Sequence, residues 1–186
     1  DDVYLGYSSP KTPSRVYKYN LLNKSKKLVK EQEIPSGHNK DNYIVERIEF
    51  KSHDGRLVPL TITRHKKTKI DGSAKLLLYG YGSYGNSISP SFSSTRLSLI
   101  NRDIIWATAH IRGGMEKGMK WWKEGKLTNK KNTFEDYIYA AKYLIEKKYT
   151  SKRNIIGMGG SAVVDCAGVC DGSSVEDCTG ECGGSA

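Results

Sequence analysis

Alternating apolar and polar residues dominate the first third of the chain and predict a series of short β-strands. Three Tyr- and Val-rich runs come first, and two further runs flank Asp54-Gly55, a strong hairpin signal. These five runs read VYLGYSS, SRVYKYNL and KKLVKEQEI before residue 35, then YIVERIEF (43–50) and RLVPLTITR (56–64). The polar loop over residues 35–42 separates the two groups. It predicts a domain boundary near residue 40, with one domain over residues 1–40 and a second over residues 41–162.

Continuous apolar runs and helical spacing replace the alternation further along the chain. AKLLLYGYG (74–82) and DIIWATAHI (103–111) have the character of strands buried on both faces. SFSSTRLSLIN (91–101) and NTFEDYIYAAKYLIEKKY (132–149) predict helices, and RNIIGMGG (153–160) predicts a last short strand. Strands that alternate with helices favour the α/β class, with a mainly parallel sheet covered on both sides.

The helical spacing also predicts which side of each helix faces the core. Apolar residues recur at steps of three and four on one side of the second helix, while Thr133 and Asp136 have the spacing of a capping box. The predicted core residues are Phe92, Thr95 and Leu99 in the first helix and Phe134, Ile138, Ala141 and Ile145 in the second.

The last part of the chain differs in composition from everything before it. Residues 163–186 contain a 12-residue repeat, DCAGVCDGSSVE followed by DCTGECGGSA, which holds all four cysteines. Local disulfides, a zinc site and weak calcium binding at the repeated Asp residues are three alternatives for this tail. We expect it to be disordered or loop-like, because two repeats are too few for stable order alone.

Charge and cysteine usage restrict the partners and the compartment. The net charge is +10, and all 30 Lys and Arg lie at or before Arg153. They are scattered, so we expect no nucleic-acid partner, and we expect neither a membrane span nor an obligate protein partner. A body without cysteine fits the cytoplasm, whereas the Cys-rich tail fits a secreted context. The first residue is Asp1 rather than Met, which suggests a fragment or a processed product.

Ser161 is the first candidate for chemistry. It follows the last predicted strand in the run GMGGSAV, and a glycine-flanked serine between a strand and a helix is typical of a nucleophile elbow. The pattern Gly-x-Ser-x-Gly is incomplete, since Val163 stands at the position of the second glycine. A plain glycine loop is the alternative interpretation.

Two further loops follow buried strands. YGYGSYG, over residues 79–85, ends one strand, and in α/β-hydrolases this loop helps to form the oxyanion hole, where a Tyr hydroxyl could donate. The sequence AHIRGGMEKG ends the next strand, and we expect its Arg112 to bond backbone carbonyls or an acid. His110 is interpreted as a packed or hydrogen-bonded core residue. Three other histidines are interpreted as solvated: His38, His53 and His65.

Taken together, these motifs resemble the prolyl oligopeptidase family, and the wording is closest to its oligopeptidase B branch. The resemblance runs from about Val3 to Ala162. It implies a serine peptidase that hydrolyses short peptides through an acyl-enzyme without a cofactor or metal, with cleavage after Lys or Arg. It also implies that residues 1–40 are the end of a β-propeller and residues 41–162 the first half of an α/β-hydrolase domain.

The same resemblance assigns roles to three residues. Ser161 matches the nucleophile, Tyr81 the tyrosine that donates its hydroxyl to the oxyanion, and the backbone N–H of Ala162 the second oxyanion donor. In this fold the triad Asp and His follow the serine, but no histidine follows Ser161 here. We therefore expect the 186-residue chain to be truncated and inactive. The alternative is a non-enzymatic secreted or surface protein defined by its Cys-rich repeats.

Overall fold

The structure is a computed structural model that describes residues 1–160. The predictions for Ser161, Ala162 and the Cys-rich tail lie outside these described residues. The predicted α/β class is confirmed for the described part, which contains one three-stranded and one five-stranded sheet together with three α-helices.

The N-terminal segment forms a three-stranded antiparallel sheet in the order β1-β2-β3. Its strands are β1 (Asp2–Ser9), β2 (Thr12–Asn20) and β3 (Lys26–Glu31). All three match the predicted runs to within a few residues. Short turns join them, and short connections between strands require antiparallel pairing.

The second sheet has the order β4-β5-β7-β6-β8. Its strands are β4 (Tyr43–Lys51), β5 (Leu57–His65), β6 (Lys75–Tyr79), β7 (Ile104–Ala109) and β8 (Ile155–Met158). The helices are α1 (Ser94–Ile100), α2 (Met119–Lys123) and α3 (Lys131–Glu146). Short 3₁₀ turns span Lys40–Asn42 and Leu127–Asn129.

This sheet is mixed rather than mainly parallel as predicted. β6 pairs in parallel with both β7 and β8, whereas β4 pairs antiparallel with β5, and β5 antiparallel with β7. The tight loop at Asp54-Gly55 makes β4 and β5 a hairpin, which forces the antiparallel arrangement. Parallel strands begin only where helices provide the crossovers, with α1 between β6 and β7 and α3 between β7 and β8.

The predicted apolar side of α3 is only partly correct, since Ala141 packs against the core as predicted. Ile138 is 46% exposed, and the residues that α3 buries are Thr133, Asp136, Ala140 and Leu144. The predicted capping box is also wrong, because the helix begins at Lys131 and has no side-chain cap. Thr133 and Asp136 instead face the β7–α2 connection, where polar groups need their hydrogen bonds.

The buried side of α1 differs in a similar way. Leu97 and Ile100 are buried, whereas the predicted Thr95 is exposed. Ser93 caps this helix by accepting a hydrogen bond from the Arg96 N–H. None of the helices among residues 1–160 is long and apolar enough to cross a bilayer.

Candidate active site

The carboxyl ends of β6 and β8 lie side by side at one edge of the five-stranded sheet. The two strands are parallel and pair Tyr79 with Met158. The Gly80 N–H then donates to the Met158 carbonyl oxygen at 3.1 Å. Tyr81 follows two residues after the end of β6, and Gly159 and Gly160 follow β8. The YGYG and GMGG motifs therefore meet at this edge.

A cavity of about 260 Å³ opens between these two loops. Its lining consists of Gly80, Tyr81, Ile111, Thr133, Phe134, Tyr137, Gly157, Met158, Gly159 and Gly160. A Cβ on Gly159 would lie 3.3 Å from the Gly80 carbonyl oxygen, and one on Gly160 would lie 4.0 Å from the Tyr81 ring. The glycines of GMGG thus let β8 approach the loop that carries the Tyr81 side chain.

Tyr137 of α3 joins the two strands directly beneath this cavity. Its hydroxyl donates to the Leu78 carbonyl oxygen on β6 at 2.6 Å and accepts from the Met158 N–H on β8 at 3.0 Å. Its ring occupies the space that side chains on Gly80 and Gly157 would fill. Burial raises the pKa of Tyr137, against the smaller opposing effect of the Met158 N–H. The hydroxyl therefore keeps the proton that it donates.

Close backbone packing joins the YGYG and RGG loops. Gly82 and Gly113 both have positive φ, at 65° and 98°. A Cβ on Gly113 would overlap the Gly82 backbone, and one on Gly82 would overlap Thr133 and Ile111. Only glycine fits at these two positions, which explains why both motifs are glycine-rich.

Arg112 anchors the same loop from below through a buried ionic network. Its side chain is 1% exposed and contacts Asp136, which is fully buried, through Nε at 2.9 Å and Nη2 at 2.6 Å. Its Nη1 contacts Asp54 at 2.6 Å. Asp136 also accepts from the Arg112 N–H at 3.0 Å and from the Ser52 hydroxyl at 2.5 Å. The prediction that Arg112 bonds an acid is confirmed.

The network fixes the charges of its members. Burial alone would lower the pKa of Arg112, but the hydrogen bonds that it donates to Asp136 and Asp54 together outweigh burial and raise it. Burial likewise works to raise the pKa of Asp54, but hydrogen bonds from Arg112 and the Arg56 N–H hold it below its usual value. The guanidinium and the Asp54 carboxylate are therefore both ionised at neutral pH.

His110 is a buried, hydrogen-bonded residue, as predicted. It is 1% exposed, and its Nε2 lies 2.8 Å from the Thr61 hydroxyl and 3.3 Å from the Arg47 guanidinium. Its Nδ1 lies 3.6 Å from Glu116. None of the described residues that line the cavity is a histidine. Neither His110 nor any of these three neighbours lines the cavity, so His110 is not placed to act on a group there.

The other histidines only partly match their predicted solvation. His53 is exposed, but His38 is half-buried, stacks on Tyr43 and bonds the Lys11 carbonyl oxygen at 2.8 Å. His65 is also half-buried and packs against the same tyrosine. Within residues 1–160, no group of three or more His, Cys, Asp or Glu is arranged to hold a metal ion.

Among the predicted site residues, Tyr81 lies half-buried in the cavity lining, while Ser161 and Ala162 lie outside the described residues. The sequence interpretation gave Tyr137 no role, and it assigned Asp136 to a capping box rather than to the Arg112 network. The sequence signals their role only through their position, because both carry polar groups in the helix that crosses beneath the glycine loops.

Sequence comparison identifies a family for the chain up to residue 162. Residues 90–162 match the prolyl oligopeptidase family. Dipeptidyl aminopeptidase BI of Pseudoxanthomonas mexicana is 41% identical over 163 residues, which is 87% of this chain and 22% of that protein. A prolyl endopeptidase of Elizabethkingia meningoseptica is 34% identical over 160 residues, 86% of this chain and 22% of its own length.

Solved structures give the same result for the fold. Oligopeptidase B from Leishmania major superposes with a TM-score of 0.79 at 37% identity, covering 86% of this chain and 22% of that one. A structure from a study of two prolyl endopeptidases has a TM-score of 0.81 at 35% identity, covering 87% of this chain and 24% of that one. The chain thus spans about a fifth to a quarter of these relatives. Over the part that they cover, it belongs to the prolyl oligopeptidase family of peptidases.

Proposed function

We propose that this chain supplies the nucleophile and the oxyanion donors of a serine peptidase that hydrolyses short peptides through an acyl-enzyme. The five-stranded sheet is then the first half of an α/β-hydrolase sheet, and the three-stranded sheet is the end of a β-propeller. One observation carries the proposal. The loops after β6 and β8 share a cavity that both Tyr81 and Gly160 line, and a Cβ added to Gly160, one residue before Ser161, would lie 4.0 Å from the ring of Tyr81.

The chemistry of the proposal requires three groups at this edge. Ser161 attacks the scissile carbonyl carbon, and the carbonyl oxygen becomes an oxyanion. The Tyr81 hydroxyl and the Ala162 N–H each donate a hydrogen bond to that oxygen, and such donors lower the barrier because they act most strongly on the developing charge. The rigid backbone packing of Gly82 on Gly113 supports this assignment, since it holds the loop that carries Tyr81.

The 186-residue chain offers no candidate for the general base that would activate Ser161. Ser hydroxyls are weak nucleophiles until a base removes the proton. The four histidines all precede Ser161, and none of the described residues that line the cavity is a histidine. We therefore propose that the 186-residue polypeptide, assayed alone, does not turn over peptides. Its cysteine-free body supports a cytoplasmic location for the peptidase part.

The experiment transplants the proposed half-site into a relative. Residues 1–162 replace the matching segment of the Pseudoxanthomonas mexicana aminopeptidase, and the chimera is assayed with fluorogenic peptides. We expect activity, a loss of about 10⁴-fold or more in Ser161→Ala, and a loss of about 10²-fold in Tyr81→Phe. Tyr79→Phe is the matched control, because it removes a hydroxyl from a ring that packs on Trp106.

The outcomes separate the parts of the proposal. A folded chimera with activity that Ser161→Ala does not change would refute the nucleophile. Equal effects of Tyr81→Phe and Tyr79→Phe would refute the oxyanion role. We propose cleavage after Lys or Arg as the specificity, so a substrate ending in Arg is compared with one ending in Pro. Turnover of the isolated 186-residue chain that Ser161→Ala abolishes would refute its inactivity.

A further inference from the structure

The edge of the sheet opposite to the candidate active site gathers positive charge. β6, β7 and β8 are parallel, so their amino ends lie together, and the segments that precede them contain many basic residues. These residues are Lys66, Lys67, Lys69 and Lys75 before or at β6, Arg102 before β7, and Lys147, Lys148, Lys152 and Arg153 before β8. The chain order scatters them, and the parallel topology brings the three segments to one edge.

Four of these cations surround a cavity of about 410 Å³. Its lining consists of Lys67, Thr68, Lys69, Ser73, Ala74, Lys75, Arg102 and Asp103. We call this set the basic cavity. It contains one carboxylate and no aromatic ring. A concave surface lined by one sign of charge concentrates the electrostatic potential and attracts counter-ions.

Among residues 1–160, none of the four cations of the basic cavity makes a salt bridge. Other basic side chains do have one: Lys117 pairs with Glu49 at 2.6 Å and Lys18 with Asp2 at 2.8 Å.

Two acids lie on the segments that form the basic cavity. Asp71 accepts from the Ser73 N–H and hydroxyl, and these bonds lower its pKa. Asp103 accepts from the Thr68 hydroxyl at 3.4 Å. Lys69 also attracts the Asp71 carboxylate and helps to lower its pKa. Hydrogen bonds to hydroxyls leave the formal charge of both carboxylates in place, but the four cations outnumber these two acids, so the cavity keeps a positive formal charge.

The cavity is built on fixed backbone. Gly72 donates to the Lys148 carbonyl oxygen at 2.7 Å, and the Asn154 amide donates to the Ser73 carbonyl oxygen at 3.1 Å. The buried Thr150 hydroxyl donates to the Ala74 carbonyl oxygen at 2.8 Å. These bonds tie the segment before β6 to the segment before β8. The cations therefore project from an ordered rim.

We propose that the basic cavity binds a small anion that carries several phosphate charges. The lining offers ammonium, guanidinium and hydroxyl donors, which are the groups that bind phosphate oxygens. It offers no ring on which a nucleobase could stack, so a phosphate chain fits it better than single-stranded nucleic acid does. β6 is five residues long, so this site lies roughly 16 Å from the peptidase edge. Binding is independent of the proposed peptidase activity.

The test uses the 186-residue chain and inorganic tripolyphosphate, with calorimetry and amide chemical shifts at constant ionic strength. We expect binding with shifts centred on Thr68, Ser73 and Asp103. Neutralising Lys67 and Lys69 with Lys67→Gln/Lys69→Gln should weaken binding about tenfold. The matched control is Lys27→Gln/Lys30→Gln on β3, which removes the same charge from the other sheet and should change the affinity less than about twofold.

Each alternative outcome has a defined meaning. Equal weakening by both double variants, or shifts spread over the whole surface, would show attraction to net charge only and would overturn the site. A single-stranded oligonucleotide with a similar number of phosphates that binds more tightly than tripolyphosphate would overturn the ligand class in favour of nucleic acid. Affinity unchanged in Lys67→Gln/Lys69→Gln would overturn the assignment of these residues.

Discussion

Replacing Asp136 by Asn tests whether the Arg112 network holds the loops of the candidate site. The substitution conserves the size of the side chain and removes its charge. Arg112 then faces an amide group, with Asp54 as its remaining carboxylate partner among the described residues. Because the guanidinium is 1% exposed, water cannot replace the lost partner without opening the structure.

The size of the effect follows from burial. Breaking a buried ion pair by removing one partner destabilises a protein by about 3–5 kcal/mol. This is a large share of the roughly 5–15 kcal/mol that stabilises an ordinary domain. The exposed Arg56–Glu124 pair provides the comparison, with side chains 49% and 22% exposed. Arg56→Gln should cost about 1 kcal/mol or less.

Urea unfolding followed by tryptophan fluorescence measures both variants. Trp121 is a suitable probe, because it is buried and the Arg112 guanidinium lies 5.9 Å from the centre of its ring. With a slope of about 2 kcal/mol per molar urea, Asp136→Asn should lower the midpoint by about 2 M. An Asp136→Asn midpoint within the error of Arg56→Gln would refute the reasoning. The double variant Arg112→Met/Asp136→Leu should cost less than the sum of its single changes, because both charges leave together.

Three further predictions concern single side chains. Tyr137→Phe should lower the free energy of unfolding by about 1–3 kcal/mol and accelerate exchange of the Met158 amide, because the Leu78 carbonyl and that amide lose their shared partner. Unchanged exchange would contradict the bridge, and Tyr139→Phe is the control. Asp54 has a lowered pKa in the folded state. Its contribution to stability is therefore present above its unfolded-state pKa, near 3.8, and is lost as the pH falls below that value. Asp54→Asn should therefore flatten the acid side of the stability curve, and an identical curve would refute this. Burial, followed by the charge of Glu46, raises the pKa of Tyr149 to about 12. The free energy of unfolding should therefore fall as the pH rises from 10 to 12, and the ultraviolet titration of Tyr149→Phe should lack the ionisation near pH 12.

The order of strands and helices could be predicted because it depends on local patterns. Alternation marked β4 and β5, continuous apolar runs marked β6 and β7, and Asp54-Gly55 marked the hairpin between β4 and β5. These signals act over a few residues, so they survive in a single sequence. The glycine-rich loop after β6 could also be predicted, and the resemblance to the family made Tyr81 the candidate within it.

Tertiary contacts decided what the local patterns could not. Hydrophobic spacing placed Ile138 on the core-facing side of α3. Packing buried Asp136 and Thr133 instead, because their hydrogen-bond partners come from residues 52, 112 and 125. The spacing rule scores apolar residues and cannot recognise a buried side on which polar groups find distant partners. The sequence by itself determined the strands, the helices α1 and α3, their order and the glycine loops, but not α2. Only the tertiary structure decided that Tyr137 bridges β6 and β8 and that scattered lysines meet at one edge of the sheet. Both features depend on the order of strands in the sheet, because that order brings together residues that are far apart in the chain.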